Sequence, residues 1–144
     1  MKIGFLAASV AALVATGVAV AQDLTINEYV VQMVAERADP GETLVGDIVF
    51  DEIEEGESAT YTFKLNPRKS YFVYGACDDD CSDIDLFGED SDGDVVDLDD
   101  EDDDIPLLLV LPGESGRSLT VTLDMAACET DVCVYAIGLY EFED

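Results

Sequence analysis

Two cysteine pairs and one run of carboxylates carry the residue types suited to chemistry in this 144-residue chain. The pairs are Cys77-Asp-Asp-Asp-Cys81 and Cys128-Glu-Thr-Asp-Val-Cys133. Close-spaced cysteines in even number suggest disulfides and an oxidising compartment. Chain entropy alone favours a long cross-link. Chain-entropy arithmetic gives about 2 kcal/mol to each local ring and about 4 kcal/mol to a long cross-link such as Cys77 to Cys133. Local pairing is preferred because each pair brackets a polar turn between expected strands. A zinc thiolate site fits poorly, since neither two-residue gaps nor histidines are present.

The carboxylate run spans Asp78 to Asp104, with 16 acids in 27 positions and no basic residue. Such a run is ordinarily a solvated face. Here Ile84, Leu86, Val96 and Leu98 alternate with the acids. That pattern predicts a hairpin of Ile84 to Gly88 with Asp94 to Leu98, looped through Asp90-Ser91-Asp92, with Gly93 at a left-handed position. Hydrophobic alternation then sets Ile84 against Leu98 and Leu86 against Val96. It also sets Asp83 against Asp99 and Asp85 against Asp97. Directly opposed carboxylates repel, by about 1 kcal/mol each at 4 Å in water and about 4 at an effective dielectric of 20. Two outcomes relieve this: screening in solvent, or a bridging hard cation. Calcium accepts about 6 to 8 oxygens in irregular geometry. Candidate calcium ligands are Asp83, Asp85, Asp97, Asp99 and Asp103. An EF-hand is not read in Asp90-Ser91-Asp92-Gly93-Asp94, because matching Gly93 to that loop's glycine puts Gly88 at the first ligand position.

The elements that must position these groups follow from periodicity. Thr25 to Arg37 reads as an amphipathic helix, with Ile26, Tyr29, Val30, Met33 and Val34 on one stripe. Thr25 and Glu28 form a capping box, and Pro40-Gly41 ends the helix. The stripe is expected to pack on the rest of the protein. Beyond Gly41 the period becomes two. About eight strands are expected: Thr43 to Phe50, Thr60 to Leu65, Ser70 to Cys77, Ile84 to Gly88, Asp94 to Leu98, Leu107 to Leu111, Ser118 to Leu123 and Val134 to Tyr140. Asn66-Pro67, Asp92-Gly93 and Pro112-Gly113 mark turns. Many short strands at close spacing argue a mainly β protein, a β-sandwich preceded by one helix.

Composition narrows the function. Against 34 Asp and Glu stand 6 Lys and Arg, a formal charge of −28, with no His and no Trp. A polyphosphate partner would be repelled, so nucleic acid is excluded as a partner. Serine or threonine nucleophiles have no His base, and the cysteines are expected to be oxidised. Paired carboxylates could hydrolyse a glycoside, but the acids are numerous and interchangeable, and no Trp platform exists. The chain is therefore expected to be no enzyme. Lys2, the uncharged run Ile3 to Val20 and the Ala19-Val20-Ala21 cleavage pattern read as a secretory signal. The expected organisation is a signal peptide over 1–21, helix and linker over 22–40, and a sandwich domain over 41–144. The mature protein would be periplasmic or secreted, with no membrane attachment after cleavage.

The strand-rich part resembles the bacterial pre-peptidase C-terminal domain. The matching stretches are Gly46-Asp47-Ile48, Tyr61-Thr62-Phe63-Lys64-Leu65, Tyr71-Phe72-Val73, Asp83-Ile84-Asp85-Leu86, Asp90-Ser91-Asp92-Gly93, Gly116 before Leu119-Thr120-Val121, and Tyr135-Ala136-Ile137. The resemblance covers about Thr43 to Glu141. It implies a jelly-roll-like sandwich and a non-catalytic accessory module, some of whose relatives bind calcium or extracellular polymers. The chain is expected to carry no attached peptidase, and it departs from the family in carrying Arg68-Lys69-Ser70 where a glycine usually precedes the Tyr71 strand. The function expected is an exported, non-catalytic acidic module, calcium-stabilised, that acts in binding a protein or extracellular polymer or in envelope structure. The competing expectation is a solvated acidic protein, without a metal site, that protects the envelope under stress.

Overall fold

The computed structural model describes residues 24–114, 116 and 118–143. The expected signal segment lies outside the described residues. Helix α1 (Ile26–Arg37) begins where the sequence placed it. The Thr25 hydroxyl accepts from the Glu28 N–H at 3.2 Å, and the Glu28 carboxylate accepts from the Thr25 N–H at 2.8 Å. Its Val30 and Val34 are fully buried. No helix among the described residues is long and apolar enough to cross a membrane.

Among the described residues nine strands follow: β1 (Thr43–Leu44), β2 (Val49–Ile53), β3 (Ser58–Lys64), β4 (Ser70–Cys77), β5 (Cys81–Glu89), β6 (Val95–Asp99), β7 (Leu107–Val110), β8 (Ser118–Cys128) and β9 (Cys133–Phe142). The expected single strand from Thr43 to Phe50 is broken at Gly46. That residue sits at φ +74°, outside the strand region and in the region glycine tolerates. The described strands form two antiparallel sheets. Sheet A runs β1-β9-β4-β7, with β2 also on β9; sheet B runs β3-β8-β5-β6.

The two sheets close over one core. Val73, Leu108, Ile137 and Leu139 of sheet A meet Ile84, Leu86, Leu119, Val121 and Leu123 of sheet B. Alternation puts one side of each strand into this layer. The other side of sheet A is covered by α1, through Val30 and Val34 on Tyr74, Ala76, Ala136 and Tyr140. Strands β4 and β9 are thus buried on both faces, which explains their nearly unbroken apolar sequence. Gly138 permits the close approach, since a Cβ there would lie 2.8 Å from Val34 Cγ1. Arg37 anchors the helix end by donating to the carbonyls of Gly75 at 2.6 Å and Pro106 at 3.0 Å, with its guanidinium over the Tyr74 ring.

The predicted β5–β6 register is corrected. The observed partners are Leu86 with Asp99, Phe87 with Leu98, and Gly88 with Asp97. The turn causes part of the shift. Asp90 accepts through Oδ1 from the N–H groups of Asp92 and Asp94, and its own N–H bonds the Asp94 carbonyl. The loop therefore runs on to Asp94, with Gly93 at φ +86° as expected. A bulge then follows, because β6 advances from Val95 to Asp97 while β5 steps from Glu89 to Gly88. The total displacement is odd, so it moves the β6 acids to the other face. Asp97 and Asp99 consequently lie on the side of Leu86, not on that of Asp83 and Asp85.

Candidate functional site

Both disulfides form locally, Cys77 with Cys81 and Cys128 with Cys133. Cys81 and Cys128 are direct register partners on β5 and β8. The two staples therefore lie side by side at one end of the sandwich. Two oxidised, buried pairs place the chain in an oxidising, extracellular-type environment.

The same end gathers the loops 54–57, 78–80, 100–104 and 129–132, all rich in acids. Asp78, 7% exposed, is the structural member of the group. Its carboxylate accepts from the N–H groups of Val134 at 2.8 Å and Asp80 at 3.2 Å, which ties the Cys77–Cys81 loop to β9. Asp79 accepts from the Tyr29 hydroxyl and joins that loop to α1. Arg37 is the one described cation near this end, and its hydrogen bonds go to carbonyls. The other described cations, Lys64, Arg68 and Lys69, sit at the opposite end, around the β3–β4 turn.

The five predicted ligands divide into two groups. Asp97 and Asp99 cross the open side of the sandwich to the free edge of β7. Asp97 accepts from the Leu109 N–H at 2.7 Å, and Asp99 from the Leu107 N–H at 2.8 Å. Glu114 continues the series by accepting from the Leu111 N–H at 2.7 Å. These carboxylates satisfy alternate donors of an edge strand. Asp83 and Asp85 remain on the outer side of sheet B. Asp103 lies over Asp83, its carbonyl accepting from the Ile84 N–H at 3.0 Å and its carboxylate from the Ile105 N–H at 3.0 Å.

The opposed pair on this outer face is Asp85 with Asp124 of β8, which replaces the expected Asp85 with Asp97. The signal for Asp124 was the alternation of Ser118 to Leu123, which extends one residue further on the same side as Thr120 and Thr122. Ser58 donates its hydroxyl to Asp124 and relieves one carboxylate of the pair. Burial raises the Asp83 carboxyl above its ordinary range, and Asp102 and Asp103 add to the shift. Burial also raises Asp85, followed by repulsion from Asp83, Asp124, Asp100 and Asp99. Asp83 Oδ1 is buried without a hydrogen-bond partner among the described residues. Among those residues, no three His, Cys, Asp or Glu side chains converge tightly enough to hold one metal ion. No family model and no curated protein matches the chain.

Proposed function

We propose that this protein is an exported, non-catalytic acidic β-sandwich module that works in the periplasm or outside the cell, by binding or as envelope structure. Its acid-rich end is stabilised by calcium. The observation that carries the reading is the crowding of Asp83, Asp85, Asp124, Asp102 and Asp103 beside two disulfides. Such an end is stable only if its charge is screened or bridged. Calcium suits it because it accepts many oxygens without a rigid cage. The ligands proposed are Asp83, Asp85 and Asp103, completed by movement of the 100–104 loop. Asp97 and Asp99 already serve the β7 edge and are better placed as structural acceptors. The sandwich form agrees with what the pre-peptidase C-terminal resemblance implies, and an accessory role follows from that resemblance.

Thermal unfolding in calcium, magnesium and chelator at equal ionic strength tests this. Millimolar calcium is expected to raise the melting temperature by several degrees, with a smaller response to magnesium. Asp83→Asn with Asp85→Asn should remove the difference between the two ions. Equal responses to both ions would leave only charge screening, and the protein would then be a solvated acidic module with no metal site.

A further inference from the structure

The edges of the two sheets are not treated alike. An edge strand offers unpaired backbone groups to any other strand, and proteins normally block it. The β7 edge is blocked by Asp97, Asp99 and Glu114. Strand β6 is short, bulged and acidic. On the far side of sheet A, β1 and β2 are interrupted at Gly46, and β2 carries exposed Asp51 and Glu52. Strand β3 has none of these devices, and its one charged residue is Lys64 at its end. It is seven residues long, pairs with β8 in unbroken register, and contains no Pro, Asp or Glu. Among the described residues its outer edge has no strand partner.

The direction of its free groups follows from the ladder. The Met125 N–H bonds the Glu57 carbonyl, so Glu57, Ala59, Tyr61 and Phe63 direct their backbone groups towards β8. Ser58, Thr60, Thr62 and Lys64 direct theirs outward. The inward side chains Ala59, Tyr61 and Phe63 pack on the core but are only half-buried. From Ser58 to Lys64 the edge is thus polar in its backbone, apolar beneath and free of acid.

We infer that β3 is the interface of a two-fold dimer, in which β3 of one copy pairs antiparallel with β3 of a second copy about Tyr61. In that register Ser58 meets Lys64 of the other copy and Thr60 meets Thr62, so all four outward residues find partners. Charge selects this occupant. The strand has a basic end, Lys64 followed by Arg68, and an acidic end, Glu54 and Glu57. Among the described residues the ion pairs belong to Lys69, and neither Lys64 nor Arg68 forms one there. An antiparallel two-fold brings each basic end against the other copy's acidic end, and such an isologous contact closes on itself. Overall charge opposes the association, so the dimer should tighten as salt screens the −28 bodies.

Sedimentation equilibrium of the oxidised protein, expressed from the full sequence, tests the interface. A monomer–dimer equilibrium is expected, with a dissociation constant that falls between about 0.05 M and about 0.5 M salt as the Debye length shortens. Thr60→Pro removes an outward N–H and no β8 bond, so it should leave a folded monomer by circular dichroism. Lys64→Glu should weaken the dimer about tenfold, and adding Ser58→Lys, which faces residue 64 of the other copy, should restore it. A protein that is monomeric at every salt concentration, that forms open-ended assemblies, or that dimerises as well with Thr60→Pro overturns the inference. Loss of association in Lys64→Glu without recovery in the double variant overturns the antiparallel register.

Discussion

Asp83 and Asp85 show how one side chain's surroundings become a property of the whole protein. Both carboxyls are raised above the ordinary aspartate value of 3.8 in the folded state, by burial first and neighbouring acids second. The folded protein therefore holds these protons more tightly than the unfolded chain. Their contribution to stability is present when they are protonated, and it is lost as pH rises from about 3.8 through the raised values. Glu28 and Glu143 act in the opposite direction, because hydrogen bonds from Thr25 and Lys69 hold them lower. A comparison isolates the first effect. Urea unfolding of Asp83→Asn with Asp85→Asn should show less loss of stability between acid and neutral pH than the parent protein does, and greater stability at neutral pH without calcium. An unchanged pH slope would show that these two carboxyls titrate alike in the folded and unfolded protein.

At the scale of the element, the seam between β6 and β7 decides what the acids do. Neither strand hydrogen-bonds the other, yet side chains of one satisfy backbone donors of the other. Hydrogen bonds to charged acceptors are among the stronger ones, and an orphaned partner costs its desolvation. Asp97→Ala and Asp99→Ala should each lower the unfolding free energy by about 1–3 kcal/mol, and the Asn variants by less because an acceptor oxygen remains. Asp100→Ala, at an exposed site, provides the control and should cause no such loss. If Asp97→Ala unfolds like Asp100→Ala, the carboxylates merely lie near β7 and do not hold it.

At the scale of the molecule, both disulfides share one end with the acidic loops 54–57, 78–80, 100–104 and 129–132, while the Asp90–Asp94 turn lies at the other end with three of the four described cations. The staples counter the repulsion of the end that most needs them. Each closes only a small ring, so removal should cost about 2 kcal/mol by loop entropy. Cys77→Ser with Cys81→Ser and Cys128→Ser with Cys133→Ser, measured by chemical unfolding, should each show a loss of that size. A loss twice as large for either pair would show that the bond holds the packing of Cys81 against Cys128 in addition to closing a loop.

Much of this organisation is local and therefore legible in the residues alone. Thr25 and Glu28 announce the helix start, since both partners of the capping box lie within one turn. Gly93 announces its turn, the polar turns bracketed by the cysteines favour two local rings, and alternation announces which side of β3 or β8 faces inward. The β5–β6 register is different in kind. It depends on how many backbone groups Asp90 ties into the turn and on one bulged residue, and an odd displacement exchanges the faces of every following side chain. Hydrophobic alternation suggested that Leu98 was buried, yet it is 46% exposed, while the acids beside it turned towards β7. The pairing of Asp85 with Asp124, the capping of one sheet edge and the openness of another arise only when distant segments meet, because the free energy of a carboxylate is set by the donors and charges around it.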